Sequence, residues 1–311
     1  MNEFRCVTMS CNSEARMQRA LVSLDGLSVG DAFGERFFSV RNIERMIAQR
    51  AFPKTPWPYT DDTEMALGIV EILDRHGRIE QDELAAVFAR RYAAAPNRGY
   101  GATAHEILEA IGLGTPWQSA ARSAFHGAGS MGNGGAMRVA PLGAYWADDL
   151  EMAARQAQAS AEVTHAHAEG QAGAIAVAVA AAWAARRGAG ETVGPPSEMV
   201  EMAMAYTPKS ETRTGLRRAI ALLDDASVGT VALILGNGSK ITAPDTVPFA
   251  LWCAARHIDD YAEALWTAVA ALGDIDTNCA IIGGIVALAA GQKAIPAEWI
   301  LSREPLATCD D

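Results

Sequence analysis

The sequence predicts an all-α protein built as a single domain, and three features carry that expectation. Apolar residues recur at helical spacing along most of the chain, strand-like and helix-like segments do not alternate, and no repeat or low-complexity linker divides the 311 residues. Met17, Ala20, Leu21 and Leu24 form the first apolar stripe, expected to end at Asp25-Gly26. Met65, Ile69, Val70 and Leu73 form the second, stopped at Gly77; Leu84, Val87, Phe88 and Tyr92 form the third, with Asp82 as its N-cap. Further helices are expected near residues 103–112, 150–160, 169–187, 197–206, 211–224, 246–256, 259–272 and 277–290. Pro248 falls in the first turn of the segment 246–256, where its missing N–H does no harm. Residues 172–185 (AGAIAVAVAAAWAA) are apolar almost all the way round, so they should run through the centre of the domain. The run VGTVALILG at 228–236 is the main strand candidate, and a buried helix fits its composition equally well. The stretch 188–198 reads as a surface loop. The core is expected over about residues 14–303, with 1–13 and 304–311 as tails.

Composition narrows the function. A net charge of −11, with no Lys/Arg-rich stretch, argues against general nucleic-acid binding, which needs a positive stripe to meet phosphates. The five cysteines (Cys6, Cys11, Cys253, Cys279, Cys309) are odd in number and lack C-x-x-C or zinc-ligand spacing, as expected of free thiols in a reducing compartment. No uninterrupted apolar run reaches the ~18–20 residues of a membrane span. The first residues carry no secretory apolar core. A cytoplasmic protein with no membrane partner is the expectation.

Two acidic motifs share a design. Tyr59-Thr60-Asp61-Asp62-Thr63 precedes the 65–73 stripe, and Gly273-Asp274-Ile275-Asp276-Thr277 precedes the helix of 277–290. Each sets two carboxylates and a threonine hydroxyl at a loop-to-helix junction. Mg²⁺ takes such oxygen ligands. Four gathered carboxylates repel one another unless divalent charge neutralises them, and two ions together would polarise a water or substrate oxygen. Either motif alone also fits an ordinary Asp or Thr helix cap.

Two glycine patterns accompany them. Gly26, Gly30 and Gly34 stand four apart, which gives a helix a smooth face for another backbone just before Glu35. The segment 127–135 (GAGSMGNGG) holds five glycines in nine residues. Such density suits backbone that approaches a ligand, and its amide groups can form an anion-binding nest; a surface turn is the plain alternative. His165 and His167, at i and i+2, are poorly placed to share a metal. Each is open to a ligand contact or a structural role.

Taken in order, GLSVGDAFG (26–34), YTDDT (59–63), GNGGAMRVAPLG (132–143), THAH (164–167) and GDIDTN (273–278) resemble the ADP-ribosylglycohydrolase family over about residues 20–300. The resemblance implies an orthogonal all-α bundle with two Mg²⁺ ions, Mn²⁺ often substituting, at the floor of a cleft. It implies Thr60, Asp61, Asp62, Asp274, Asp276 and Thr277 as metal ligands. Gly129, Ser130, Gly132, Asn133 and Gly135 would cradle a diphosphate, with His165 nearby. Met131 would pack against the ligand where some relatives carry an aromatic. The implied catalytic carboxylates are Asp62, Glu35 and Asp276, with Asp62 or Glu35 handling the proton. Relatives commonly carry a Glu a few residues after the G-D-A-x-G motif; here the string reads Glu35-Arg36-Phe37-Phe38, on a segment expected to be mobile. The implied activity is hydrolysis of the bond between ADP-ribose and a protein side chain, arginine first, with ADP-ribose as product. Other ADP-ribosyl linkages (serine, nucleic acid, O-acetyl-ADP-ribose) are the first alternative. An immunity-type protein that occludes an ADP-ribosyltransferase toxin is the second.

Overall fold

Gly26, Gly30 and Gly34 form a face inside a helix, as their spacing predicts. In the computed structural model, which describes residues 3–38, 40–224 and 226–307 and side chains from residue 13 onward, α1 runs unbroken over Glu3–Glu35. The expected stop at Asp25-Gly26 does not occur. The reason is tertiary: the glycine face lies directly on the backbone of the helix Ile275–Ala290. A Cβ at Gly26 would sit 2.3 Å from the Gly283 carbonyl oxygen, one at Gly30 2.2 Å from that of Cys279, and one at Gly34 2.6 Å from Asp276 Cα. The partner residues descend as α1 ascends, so the two helices are antiparallel. Ser23 Oγ donates to Gly284 O (2.8 Å) and Tyr261 OH to Gly26 O (2.6 Å), pinning the crossing. This close contact offsets the ~1 kcal/mol that each helical glycine costs.

The short α2 (Ile43–Ala48) leads to α3 (Asp61–His76) and α4 (Gln81–Ala94). Gly77, at φ 68°, ends α3 in the left-handed conformation that glycine adopts without strain. Helix α4 starts at Gln81, so Asp82 lies in its first turn instead of capping it, and accepts from Trp117 Nε1 (2.7 Å). Then come α5 (Ala102–Gly112), α6 (Trp117–Ser123), the four-residue α7 (Gly134–Met137), α8 (Ala140–Tyr145) and α9 (Leu150–Glu162). Helix α10 (Ala168–Gly188) is the centre of the bundle, with residues 172–185 all buried, as their composition predicts. Among the described residues it is the one helix long and apolar enough to cross a membrane, and it lies mostly inside the protein.

Helices α11 (Pro196–Tyr206), α12 (Glu211–Ala221) and α13 (Val228–Leu235) follow. Helix α13 takes the place of the strand candidate; Ser227 Oγ caps it by accepting from Thr230 N (3.3 Å). The described residues contain no strand, only isolated bridges pairing Trp57 with Arg303 and Gly132 with Thr242. Helix α14 (Ala243–Arg256) begins earlier than its apolar stripe suggested, which puts Pro248 in its interior. Gly215 of α12 makes room for the proline ring: a Cβ there would lie 2.4 Å from Pro248 Cγ. The order closes with α15 (Tyr261–Ala270), α16 (Ile275–Ala290) and α17 (Ala297–Ser302). One continuous apolar cluster runs from Ala20 to Trp299. Cys253 and Cys279 are buried free thiols within it; Cys309 lies outside the described residues, as do the side chains of Cys6 and Cys11.

The α1–α16 contact has a direct test. Gly30→Ala should lower the melting temperature by several degrees, because overpacking a tight contact typically costs ~1–3 kcal/mol and here the obstacle is backbone. Gly229→Ala, in open space on α13, should be neutral or stabilising by ~0.5–1 kcal/mol. Equal calorimetric melting points for the two variants would contradict this packing.

Candidate active site

The antiparallel crossing decides what meets at the end of α1. Asp31 sits one residue past Gly30, fully buried, and comes alongside the N-termini of α3 and α16. It accepts from Thr60 N (2.9 Å), Thr60 Oγ1 (2.8 Å), Thr63 N (3.1 Å) and Thr63 Oγ1. Thr60 is the N-cap residue of α3, yet its own side chain makes no capping bond. Asp31 therefore caps α3 from another helix, leaving Asp61 and Asp62 of that first turn free of the task. Asp62 is sealed (1 % exposed), shares the single Thr60 Oγ1 proton with Asp31 at the longer distance of 3.1 Å, and has a buried Oδ1 that no donor among the described residues reaches. Asp31, Asp62 and Asp276 each offer one oxygen within 4.8 Å of the others.

The α16 side completes the group. Asp274 is the N-cap residue of α16 but makes no side-chain cap. It is held instead by Asn133 Nδ2 (2.6 Å), which also reaches Thr246 Oγ1 (3.0 Å). Asp276 Oδ1 accepts from Thr277 N (2.9 Å). Exposure is graded across the cluster: Asp31 and Asp62 are sealed, whereas Asp61, Asp274 and Asp276 are partly exposed, so the group opens on that side.

The electrostatics are those of crowded anions. Burial, opposed by its hydrogen bonds, pushes the Asp31 carboxyl up to about 6. Burial, then Asp31, pushes Asp61 to about 7. Asp62 and Asp276 are raised well above the carboxylate range by burial and by their acidic neighbours. Burial likewise raises Asp274. Arg138 acts on Asp61, but its guanidinium bonds go to Ser160 O (2.8 Å) and Thr164 Oγ1 (3.0 Å). A converging oxygen-only donor set with an orphaned buried carboxylate oxygen fits a hard divalent cation, which takes carboxylate oxygens.

The glycine segment borders this group. Gly129, at φ 75°, is packed so closely on residues 166–167 that a Cβ would lie 2.7 Å from His167 N. Ser130 Oγ accepts from Gly132 N (3.1 Å), and Met131 O accepts from Ala243 N (3.0 Å). Asn133 and Gly135 are buried, and Gly135 rests on Ala161 and Gly170. The histidines divide. His167 caps α10 by accepting from Glu169 N (3.1 Å). His165 packs its ring on Gly132 and Gly134, and its pKa is lowered to about 3 by burial and Arg138. Thr164 Oγ1 accepts from Arg138 and lies 2.8 Å from His165 Nδ1. That contact occupies Nδ1, and Nε2 faces the glycine loop at Gly132 and Gly134.

Glu35 is half-buried, one helical turn beyond Asp31 on the same face; burial and Asp31 raise its carboxyl pKa. The segment around it is anchored rather than loose: Phe33 stacks on Trp299 (4.3 Å between centroids) and meets Phe37 edge-on (5.0 Å). Phe38 alone of the three phenylalanines is exposed. A cavity of about 910 Å³ lies on the α12–α14 side, touching the glycine loop at Met131 and the Asp274 turn through Asn237. None of Asp31, Asp61, Asp62, Asp274 or Asp276 lines it.

The sequence motifs missed Asp31, which stood in plain view in G-D-A-F-G but whose position depends on α1 continuing through the glycines. They also missed a set of strained residues. Phe125, His126, Ile241 and Leu272 take positive φ without being glycine, all on the loops that carry or border the glycine and acidic motifs. No residue pattern announces that.

The model of the ADP-ribosylglycohydrolase family matches residues 12–309. The chain belongs to that family. Human ADP-ribosylhydrolase ARH3 is 30% identical over 274 residues, covering 79% of this chain and 74% of its own length. A protein of Archaeoglobus fulgidus is 30% identical over 287 residues, 88% of each chain. A solved structure named ADP-ribosylglycohydrolase-related protein complex shares the fold, with a TM-score of 0.66 over 94% of both chains at 24% identity. As a member of the family the chain is a hydrolase of ADP-ribosyl groups.

Proposed function

We propose that this chain is a magnesium-dependent hydrolase that cleaves the glycosidic bond between ADP-ribose and a protein side chain, arginine first. The observation that carries the reading is the convergence of Asp31, Asp62 and Asp276, one of which, Asp62, keeps a buried oxygen without a donor among the described residues. Thr60, Asp61, Asp62, Asp274, Asp276 and Thr277, joined by Asp31, would hold two Mg²⁺ ions, or Mn²⁺ in their place. Bound there, such ions neutralise the carboxylates and supply Lewis-acid polarisation.

The chain's own groups do the rest. The loop Gly129–Gly135 forms the diphosphate cradle, in which the amides of Ser130, Met131 and Gly135 are the donors, since those of Gly129, Gly132 and Asn133 bond Ala124 O, Ser130 Oγ and Ile241 O; His165 Nε2 lies beside it. The exposed side chains of Phe125 and Ile241, with Met131, give that loop apolar flanks for a base. Asn133 holds Asp274 in place. Burial separates the two proton handlers: Asp62 is sealed, whereas Glu35 is half-buried and open to water, as a general base needs.

The test uses arginine-linked and serine-linked ADP-ribosylated proteins, with released ADP-ribose measured in Mg²⁺, in EDTA and after Mn²⁺ is restored. Release from the arginine conjugate, lost in EDTA and recovered with Mn²⁺, is expected. Release confined to the serine conjugate would reassign the linkage, and EDTA-insensitive release would end the metal reading. No release, with tight binding of an ADP-ribosyltransferase, would favour the occluding alternative.

A further inference from the structure

The segment that carries Thr60, Asp61 and Asp62 into the site has no sheet to hold it and joins a helix only at residue 61. Its fixation comes from two distant pieces of chain. Residues 302–304, at the end of α17 and just beyond it, run beside it: Trp57 N donates to Ser302 O (2.7 Å) and Glu304 N to Trp57 O (3.0 Å). Glu304 Oε1 then accepts from Tyr59 N (2.9 Å) and from Arg98 NH1. Arg98 grips the segment twice more. Its guanidinium donates to Tyr59 O (3.0 Å) and lies over the Tyr59 ring, 4.0 Å from its centroid. Its backbone carbonyl accepts from Asp61 N (2.7 Å). Both polar groups of the Tyr59 backbone, and the N–H of Asp61, are thus fixed by Glu304 and Arg98. At the other end Trp57 is fully buried against Phe33 and Trp299.

We propose that Glu304 and Arg98 form a positioning clamp that sets the backbone of residues 59–61 and so tunes divalent-cation affinity at Asp61 and Asp62. Neither residue is a ligand; both act through the segment they hold. Glu304, at the start of the stretch expected to be a tail, is thereby tied into the site. The inference rests on the metal reading above. Outer groups that orient ligands typically contribute 10–100-fold to metal affinity. A clamp that acts through ligand geometry should therefore weaken metal binding far more than turnover once metal is saturating.

The experiment titrates Mg²⁺ and Mn²⁺ by calorimetry into Glu304→Ala, Glu304→Gln, Arg98→Ala and wild type, and measures turnover as a function of metal concentration. Glu304→Ala and Arg98→Ala should bind metal at least 10-fold more weakly, with kcat at saturating metal within about threefold of wild type. Glu304→Gln keeps an acceptor for Tyr59 N and should recover part of the affinity. Hydrogen exchange at the Tyr59 and Asp61 amides should accelerate in Glu304→Ala while the α10 core stays protected. Metal affinity within twofold of wild type in all three variants would overturn the clamp, even with faster exchange. If Glu304→Ala does not fold, unchanged affinity in Glu304→Gln and Arg98→Ala overturns it equally. A wild type that binds metal but releases no ADP-ribose would sink the proposed activity and leave the clamp to its own titration; a wild type that binds no divalent cation would remove both.

Discussion

Asp62→Asn should abolish metal binding and hydrolysis while raising the melting temperature of the metal-free protein. The two effects have one cause. Asp62 is sealed, has an oxygen that no donor among the described residues reaches, and faces Asp31 and Asp276. Without metal the fold must bury its charge unpaired or hold a proton on it, and either is costly. Asparagine is nearly the same size, carries no charge, and brings an amide that donates to the neighbouring carboxylates. Relief of about 1–3 kcal/mol is expected, the usual range for an unsatisfied buried group. Metal affinity should fall by more than the 10–100-fold lost when an outer partner is changed, because here an oxygen of the set itself is replaced. An ordinary capping carboxylate would behave oppositely, losing ~0.5–2 kcal/mol of stability and leaving metal binding untouched. Thermal melts in EDTA and in Mg²⁺, beside metal calorimetry, separate the cases; a variant that melts lower in EDTA yet still binds Mg²⁺ would remove Asp62 from the site.

Asp62 was legible from the sequence and Asp31 was not, and the difference is physical. Asp61, Asp62, Asp274 and Asp276 sit at helix starts, where local rules apply: a turn signal, a hydroxyl, an acid in the first turn. Asp31 sits in mid-helix, beyond Asp25-Gly26, where the apolar stripe reads as ending. Its role exists only because Gly26, Gly30 and Gly34 bring α1 onto α16, which periodicity within one segment cannot report. Residues 228–236 show the same limit from another side, since a short β-branched run takes its conformation from what it packs on. Pro248 repeats it, being tolerated inside α14 because Gly215 lies opposite. The buried centre at 172–185 was legible because fourteen consecutive small or apolar residues leave no polar face to turn outward. The Glu304–Arg98 clamp joins residues about two hundred positions apart and has no local signature at all.

Metal-free protein should be more stable at pH 5.5 than at pH 8, and the stabilisation given by Mg²⁺ should grow as pH rises. Asp31 and Asp61 have folded-state pKa values raised to about 6 and about 7, against ~3.9 in an unfolded chain. Asp62 and Asp276 are raised further and Asp274 is raised as well. From about pH 4 upward the folded state therefore binds more protons than the unfolded one, and stability falls as pH climbs through the folded pKa values. His165 pulls the other way. Its folded pKa is lowered to about 3, so below ~6.5 the unfolded state gains a proton that the folded state refuses. His257 is lowered too. Six raised carboxylates, Glu35 among them, outweigh two lowered imidazoles across pH 5.5–8, so the net slope should be downward. A tenfold change in proton affinity is worth ~1.4 kcal/mol, and the cluster's sum is on the order of a few kcal/mol, or several degrees of melting temperature at this chain length. Divalent metal reverses the slope's origin, because ligands must be deprotonated to bind it and metal binding releases their protons. Melting curves from pH 5.5 to 8.5, in EDTA and in saturating Mg²⁺, should diverge steadily toward the alkaline end. Metal-free stability that rises over that range, with a constant Mg²⁺ shift at every pH, would mean that the five aspartates do not share one site.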